Sequence, residues 1–137
     1  MTQTDTILGD SSGPSSVIGL GIDAIEIERI GAAIAKRPRF VERVFAPEER
    51  QYCEARVNTA KHFAVRFAAK EAVMKAMGIG LGQVAWREIC VTGDGKPGVL
   101  LTGSAARRAQ VLGIARIEIS LTHSRELALA VAAALSP

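Results

Sequence analysis

Residues 59–77 read TAKHFAVRFAAKEAVMKAM, an Ala-rich run free of Pro and Gly and followed by GIGLG. The composition predicts one long helix from about Thr59 to Met77, stopped by those glycines. Stepped at ~100° per residue, it puts Phe63, Phe67 and Met74 on one side and Ala68, Ala72 and Ala76 on another, close to Val65. Glu71 and Lys75 fall together between Ala64 and Ala68, while Arg66 and Lys70 form a third stripe. No broad polar face exists. Such a helix must be wrapped by other elements, and its charges are expected at the rim of a cleft or at a subunit contact.

The flanking sequence supplies the wrapping. In VIGLGID, 17–23, Ile18, Leu20 and Ile22 alternate with Gly19, Gly21 and Asp23, the period of a strand. One side of it is apolar and the other is bare backbone ending in a carboxylate, which invites close approach. AIEIERIGAAIAK, with Ile27, Ile30 and Ile34 at helical spacing, is predicted to be a helix ended by Pro38. A short helix is expected after Pro47. WREICVTGDGKPGVLLTG reads as two strands about a Gly- and Pro-rich turn. GSAARRAQVLG reads as a helix with Ser104 as N-cap and Gly113 as its close. In RIEISLTH the alternate Ile117, Ile119 and Leu121 should point inward, and LALAVAAAL can pair with it as a buried strand.

At 137 residues and 48% hydrophobic, the chain suffices for one compact domain. The predicted order is that of an α+β fold, a single domain with a small antiparallel sheet packed with helices over 17–137. The Ser-, Thr- and Gly-rich stretch 1–16 is expected to be a flexible tail. Cys53 and Cys90 follow no metal-ligand spacing and are too few for a disulfide framework, so they read as reduced, structural thiols. The opening residues lack a basic and an apolar signal region, and LALAVAAAL is too short to span a bilayer. A cytoplasmic protein with no membrane partner is expected. A net charge of +3 favours acidic or phosphorylated partners without arguing for nucleic acid.

Two readings of the helix charges compete. Glu71 and Lys75 have the favoured i,i+4 orientation, worth ~0.2–0.5 kcal/mol on a surface. Alternatively Glu71 holds a cation while Lys75 and Arg66 meet phosphate oxygens. Mg²⁺ accepts one or two carboxylates and completes its shell with water and phosphate, and Asp23 is the obvious second carboxylate. Asp23 also stands three residues before Glu26, nearly the spacing of a capping box, so capping and ligation are both open for it.

The ordered set GIDAIEIERI, RFAAKEAVMKA, GDGKP and SLTHS resembles the holo-[acyl-carrier-protein] synthases, small bacterial 4′-phosphopantetheinyl transferases. The likeness runs from about Val17 to Ala134. It implies that coenzyme A donates its 4′-phosphopantetheine arm to a serine of apo-acyl carrier protein, for fatty acid biosynthesis. It also implies Mg²⁺ dependence and a homotrimer with sites at subunit junctions. The resemblance assigns metal binding to Asp23 and Glu71 and the pyrophosphate contact to Lys75. It sets Arg66 and Phe67 beside the coenzyme and His123 near the adenosine 3′-phosphate, with Lys96 of GDGKP nearby.

The serine proton would pass to Glu26 or to a metal-bound water. The carrier protein would dock on basic residues of the first helix region, Arg29, Lys36 and Arg39. Trp86 is expected to anchor the core or an interface. Thr122 and Ser124 vary the SLTHS pattern, and the tail precedes the family's usual start. Two alternatives fare worse. Transferases that modify peptide and polyketide synthases are about twice as long and built of two related halves, and this chain has no repeat. A nucleic-acid module would need more stacking aromatics than the 4% present.

Overall fold

The computed structural model describes residues 16–93 and 95–137. The expected tail therefore lies outside the described residues except for Ser16, whose backbone nitrogen donates to Ser136 Oγ at 2.9 Å. The element order is β1 (Val17–Glu26), α1 (Ile27–Lys36), α2 (Phe40–Val44), α3 (Pro47–Glu54), α4 (Thr59–Met77), β2 (Ile89–Thr92), β3 (Gly98–Leu101), α5 (Gly103–Val111), β4 (Arg116–His123) and β5 (Leu127–Leu135). The expected α+β architecture is present. β5 is the middle strand of an antiparallel sheet ordered β1-β5-β4, and β2 and β3 form a separate antiparallel pair.

α4 lies across the inner face of the three-stranded sheet, and its position follows from small residues on both partners. The inner positions of β5 are Ala128, Ala130, Ala132 and Ala134, all buried, and Ala68, Ala72 and Ala76 of α4 are buried with them. On β1 the approach is closer still. A Cβ at Gly19 would lie 1.9 Å from the carbonyl oxygen of Ala76, and one at Gly21 equally close to that of Ala72. The bare side of β1 is thus approached by a helix backbone. Its apolar side faces out, leaving Leu20 67% and Ile22 64% exposed.

The long helix has the predicted bounds, Thr59–Met77, and closes on a left-handed Gly78. Twelve of its residues are buried within a single protomer, among them Phe63, Val65, Arg66 and Lys70. The wrapping expected for this helix is supplied within one protomer by the sheet, α1, α3 and β2. Phe45 and Phe63 meet at 4.7 Å between centroids, tilted by 57°, at its N-terminal half, and Phe40, Tyr52, Phe67 and Trp86 pack against the otherwise mostly aliphatic core.

Three local expectations also change. β1 runs on through Glu26 because its last residues pair with Leu127–Ala130 of β5. α1 accordingly begins at Ile27 with Glu26 at the N-cap position, so Asp23 is a strand residue and caps nothing. Trp86–Glu88 form a 3₁₀ turn ahead of β2 rather than its first residues. Thr102, not Ser104, occupies the N-cap position of α5. The capping comes from Glu88, whose carboxylate accepts from Ser104 Oγ and, at 3.2 Å, from the nitrogen of Ala105. Those bonds hold Glu88 below the usual carboxylate range.

Candidate functional site

The geometry answers the question posed by the charges of α4 differently for each residue. Lys70 belongs to the core. Its Nζ lies 2.6 Å from Glu49 Oε1, both side chains being fully buried, and it donates to the carbonyls of Trp86 and Ile89. Glu49 in turn accepts from the backbone nitrogens of Ala46 and Val91, each at 2.9 Å. Sequence reasoning missed this pair, because nothing in PEERQYCE marks which acidic residue turns inward.

Glu71 and Lys75, one turn apart, face the inner end of β1 where the glycines give way to Asp23. The i,i+4 pairing is not made. Lys75 Nζ instead bonds Asp23 Oδ1 at 3.1 Å and the carbonyl of Ile22 at 2.9 Å. Asp23 is 12% exposed against 54% for Lys75, and its other oxygen, Oδ2, is buried. Burial first, then the negative charge of Asp23 and a side-chain hydrogen bond to it, push the Glu71 carboxyl up to about 7, with partial relief from Lys75 and Arg29. Two carboxylates close enough to share a proton, and to repel each other once both are charged, fit a divalent cation. Among the described residues no group of three or more His, Cys, Asp or Glu that could hold a metal gathers, so the side chains on offer are these two carboxylates. That suits Mg²⁺ better than a cation needing a full protein cage.

These carboxylates lie in a cleft of about 540 Å³ whose lining includes Arg29, Lys36, Phe67 and Trp86. A groove of about 800 Å³ adjoins it, sharing Lys36, Arg37, Phe40, Phe67 and Trp86 and adding Arg39 and Arg43. Its floor is aromatic: Phe67 stacks on Trp86 at 5.0 Å and 16° and meets Phe40 at 6.0 Å. Arg37, Phe40 and Arg43 were not singled out from sequence. The density of KRPRFVER was their available signal, obscured because α2 itself was not predicted.

Arg66 and His123 are not brought to the carboxylates. They line a separate cavity of about 430 Å³, together with Tyr52, His62, Lys96 and Pro97. Adjacent positions on α4 send Arg66 and Phe67 to different cavities. Arg66 is 5% exposed, and its guanidinium lies 3.8 Å from the centroid of Tyr52. Its Nε is buried without a hydrogen-bond partner. Glu26 does not line the cleft; strand alternation from Asp23 puts it on the outer face of β1.

Comparison with known proteins agrees with this architecture. The profile of the 4′-phosphopantetheinyl transferase superfamily matches residues 19–132. A holo-[acyl-carrier-protein] synthase of Moorella thermoacetica is 48% identical over 114 residues, 82% of this chain and 89% of that one. The Plasmodium yoelii acyl carrier protein synthase with ADP bound superposes with a TM-score of 0.80 at 31% identity, covering 91% of this chain and 99% of that one. The Bacillus anthracis holo-(acyl-carrier-protein) synthase in complex with CoA (3′,5′-ADP) gives a TM-score of 0.73 at 32% identity, over 88% of this chain and 98% of that one. With a family match over residues 19–132 and a relative nearly half identical over most of its length, the chain belongs to the holo-[acyl-carrier-protein] synthases of the 4′-phosphopantetheinyl transferase superfamily.

Proposed function

We propose that the chain transfers the 4′-phosphopantetheine group of coenzyme A to a serine of apo-acyl carrier protein, with Asp23 and Glu71 holding Mg²⁺. The observation that carries the metal assignment is the convergence of the Asp23 and Glu71 carboxyl groups in one cleft, close enough that each raises the cost of charging the other. When bound, the ion would neutralise charge on the transferring phosphate. Lys75 is half-exposed and anchored only through its Nζ, so it can turn from Asp23 toward the diphosphate oxygens. The serine oxygen bonds to the phosphorus of the pantetheine phosphate as the bond to the bridging oxygen breaks. The electron pair departs with adenosine 3′,5′-bisphosphate. Since Glu26 lies off the cleft, water held between the carboxylates and the substrate is left as the acceptor of the serine proton.

The cavity around Arg66, Lys96 and His123 suits the adenosine 3′-phosphate, because it gathers basic side chains from three segments of the chain. It is separate from the carboxylates of the same protomer, and that separation supports a homotrimer in which one subunit's cavity completes another's cleft. The groove rimmed by Lys36, Arg37, Arg39 and Arg43 over an aromatic floor suits an acidic carrier protein, with Arg29 at the cleft end. Rim charges steer encounter and are screened by salt. The two buried thiols, Cys53 pushed up to about 12 and Cys90 to about 11 by burial, suit a reducing cytoplasm, and no described helix is long and apolar enough to cross a membrane.

Mass spectrometry of apo-acyl carrier protein incubated with coenzyme A, Mg²⁺ and the enzyme tests the reading. A phosphopantetheine mass gain is expected, and its absence overturns the assignment. Equal gain on isolated carrier domains of peptide synthases would favour a broad-specificity transferase.

A further inference from the structure

The ion pair between Lys70 and Glu49 takes no direct part in that chemistry, yet its surroundings are unusually complete. An ammonium has three protons to donate. Lys70 finds three acceptors: Glu49 Oε1 at 2.6 Å, the Trp86 carbonyl at 3.1 Å and the Ile89 carbonyl. The carboxylate is equally satisfied, by Lys70 and by the nitrogens of Ala46 and Val91. Four segments therefore meet at one charge pair: α4, the entry to α3, the 3₁₀ turn and β2.

Removing both charges from water is costly, and an apolar pair of similar volume would often hold a core as well. What an apolar pair lacks is direction. Lys70 immediately precedes Glu71 on α4 and lies three residues beyond Phe67, while the carbonyl it grips belongs to Trp86, whose ring stacks on Phe67. Fixing that carbonyl fixes the depth and tilt of the aromatic wall shared by the carboxylate cleft and the basic groove.

We infer that Lys70, clamped by Glu49, is a positioning residue that sets the Phe67–Trp86 wall against which the carrier protein docks. The inference rests on the docking surface proposed above. Lys70 touches neither substrate, so its loss should weaken carrier engagement rather than the chemical step.

The test compares wild type, Lys70→Met and the milder Glu49→Gln, which keeps an acceptor facing Lys70. Folding is checked by far-ultraviolet circular dichroism. Trp86 is the only tryptophan, so its fluorescence reports on the wall without reference to activity. In a folded variant we expect red-shifted Trp86 emission and readier acrylamide quenching. The KM for apo-acyl carrier protein should rise roughly tenfold, with kcat per folded molecule within about threefold of wild type, as expected when uniform binding is lost. Wild-type emission together with wild-type KM in a folded variant would overturn the inference. Failure of both variants to fold would also overturn it, marking the pair as plain scaffold. If the wild type itself transfers nothing, the functional reading fails, and Trp86 emission and quenching alone then judge the role of Lys70.

Discussion

Asp23 and Glu71 are held together against their own repulsion, and that tension is measurable. A carboxyl whose folded pKa is raised binds more protons folded than unfolded, so the folded state loses stability as pH rises between the two values. For Glu71 the window runs from its ordinary 4.5 to about 7. Metal-free protein should therefore lose thermal stability as pH climbs through that window, and Glu71→Gln should remove this contribution. Asp23→Asn should reduce it without abolishing it, because burial is the larger cause. Added Mg²⁺ should raise the melting temperature more at pH 8 than at pH 6, where protons compete for Glu71. Each substitution should cost transfer roughly 10²-fold or more, as when a preorganised electrostatic contact to the reacting group is lost. Near-wild-type turnover at low Mg²⁺ in either variant would refute the ligand assignment.

Whether an element was legible in the sequence depended on whether its signal was local. α4 was legible to the residue because its stop is a run of glycines and its start lies in a Pro-free stretch. β4 was legible because RIEISLTH alternates, and the wholly apolar LALAVAAAL beyond it offered a partner strand. The end of β1 was hidden because AIEIERI fits a helical stripe as well as a strand edge, and only pairing with β5 through Glu26 decides it. The cap of α5 was hidden for a related reason: Glu88 acts from across a hairpin. At the candidate site, the meeting of Asp23, Glu71 and Lys75 was legible from the motifs, whereas the parting of Arg66 from Phe67 needed the packing on both sides of α4.

The close contact between β1 and α4 carries its own prediction. Gly21→Ala would press a methyl within 1.9 Å of the Ala72 carbonyl oxygen and 2.8 Å of the Ala76 nitrogen. These are backbone atoms and cannot step aside alone. The helix must lift from the sheet, at the upper end of the ~1–3 kcal/mol typical of overpacking, or beyond it, carrying Glu71 away from Asp23. Gly31→Ala in α1 is the control. Its methyl would meet only Ala60 Cβ, at 3.5 Å, and should stabilise by about 0.5–1 kcal/mol. Chemical denaturation of the two variants distinguishes steric closeness from generic glycine effects.

At the scale of the molecule, the unresolved force is the outer face of the sheet. Leu20 and Ile22 of β1 and Val131 of β5 stand exposed there, and Ile22 and Val131 are register partners, so their side chains are contiguous. An apolar strip of this kind on a small protein marks an association surface. The proposed trimer would cover it and would also bring the Arg66–His123 cavity of one subunit to the carboxylates of another. Ile22→Glu separates folding from assembly, since the side chain is already 64% exposed in a lone protomer. We expect a folded monomer by light scattering, with an unchanged far-ultraviolet spectrum, and loss of transfer because no subunit then holds both halves of the coenzyme site. Transfer by that monomer at the wild-type rate would show that one protomer suffices. A monomeric, fully active wild type would remove the need for the trimer altogether and leave the apolar strip to some other partner.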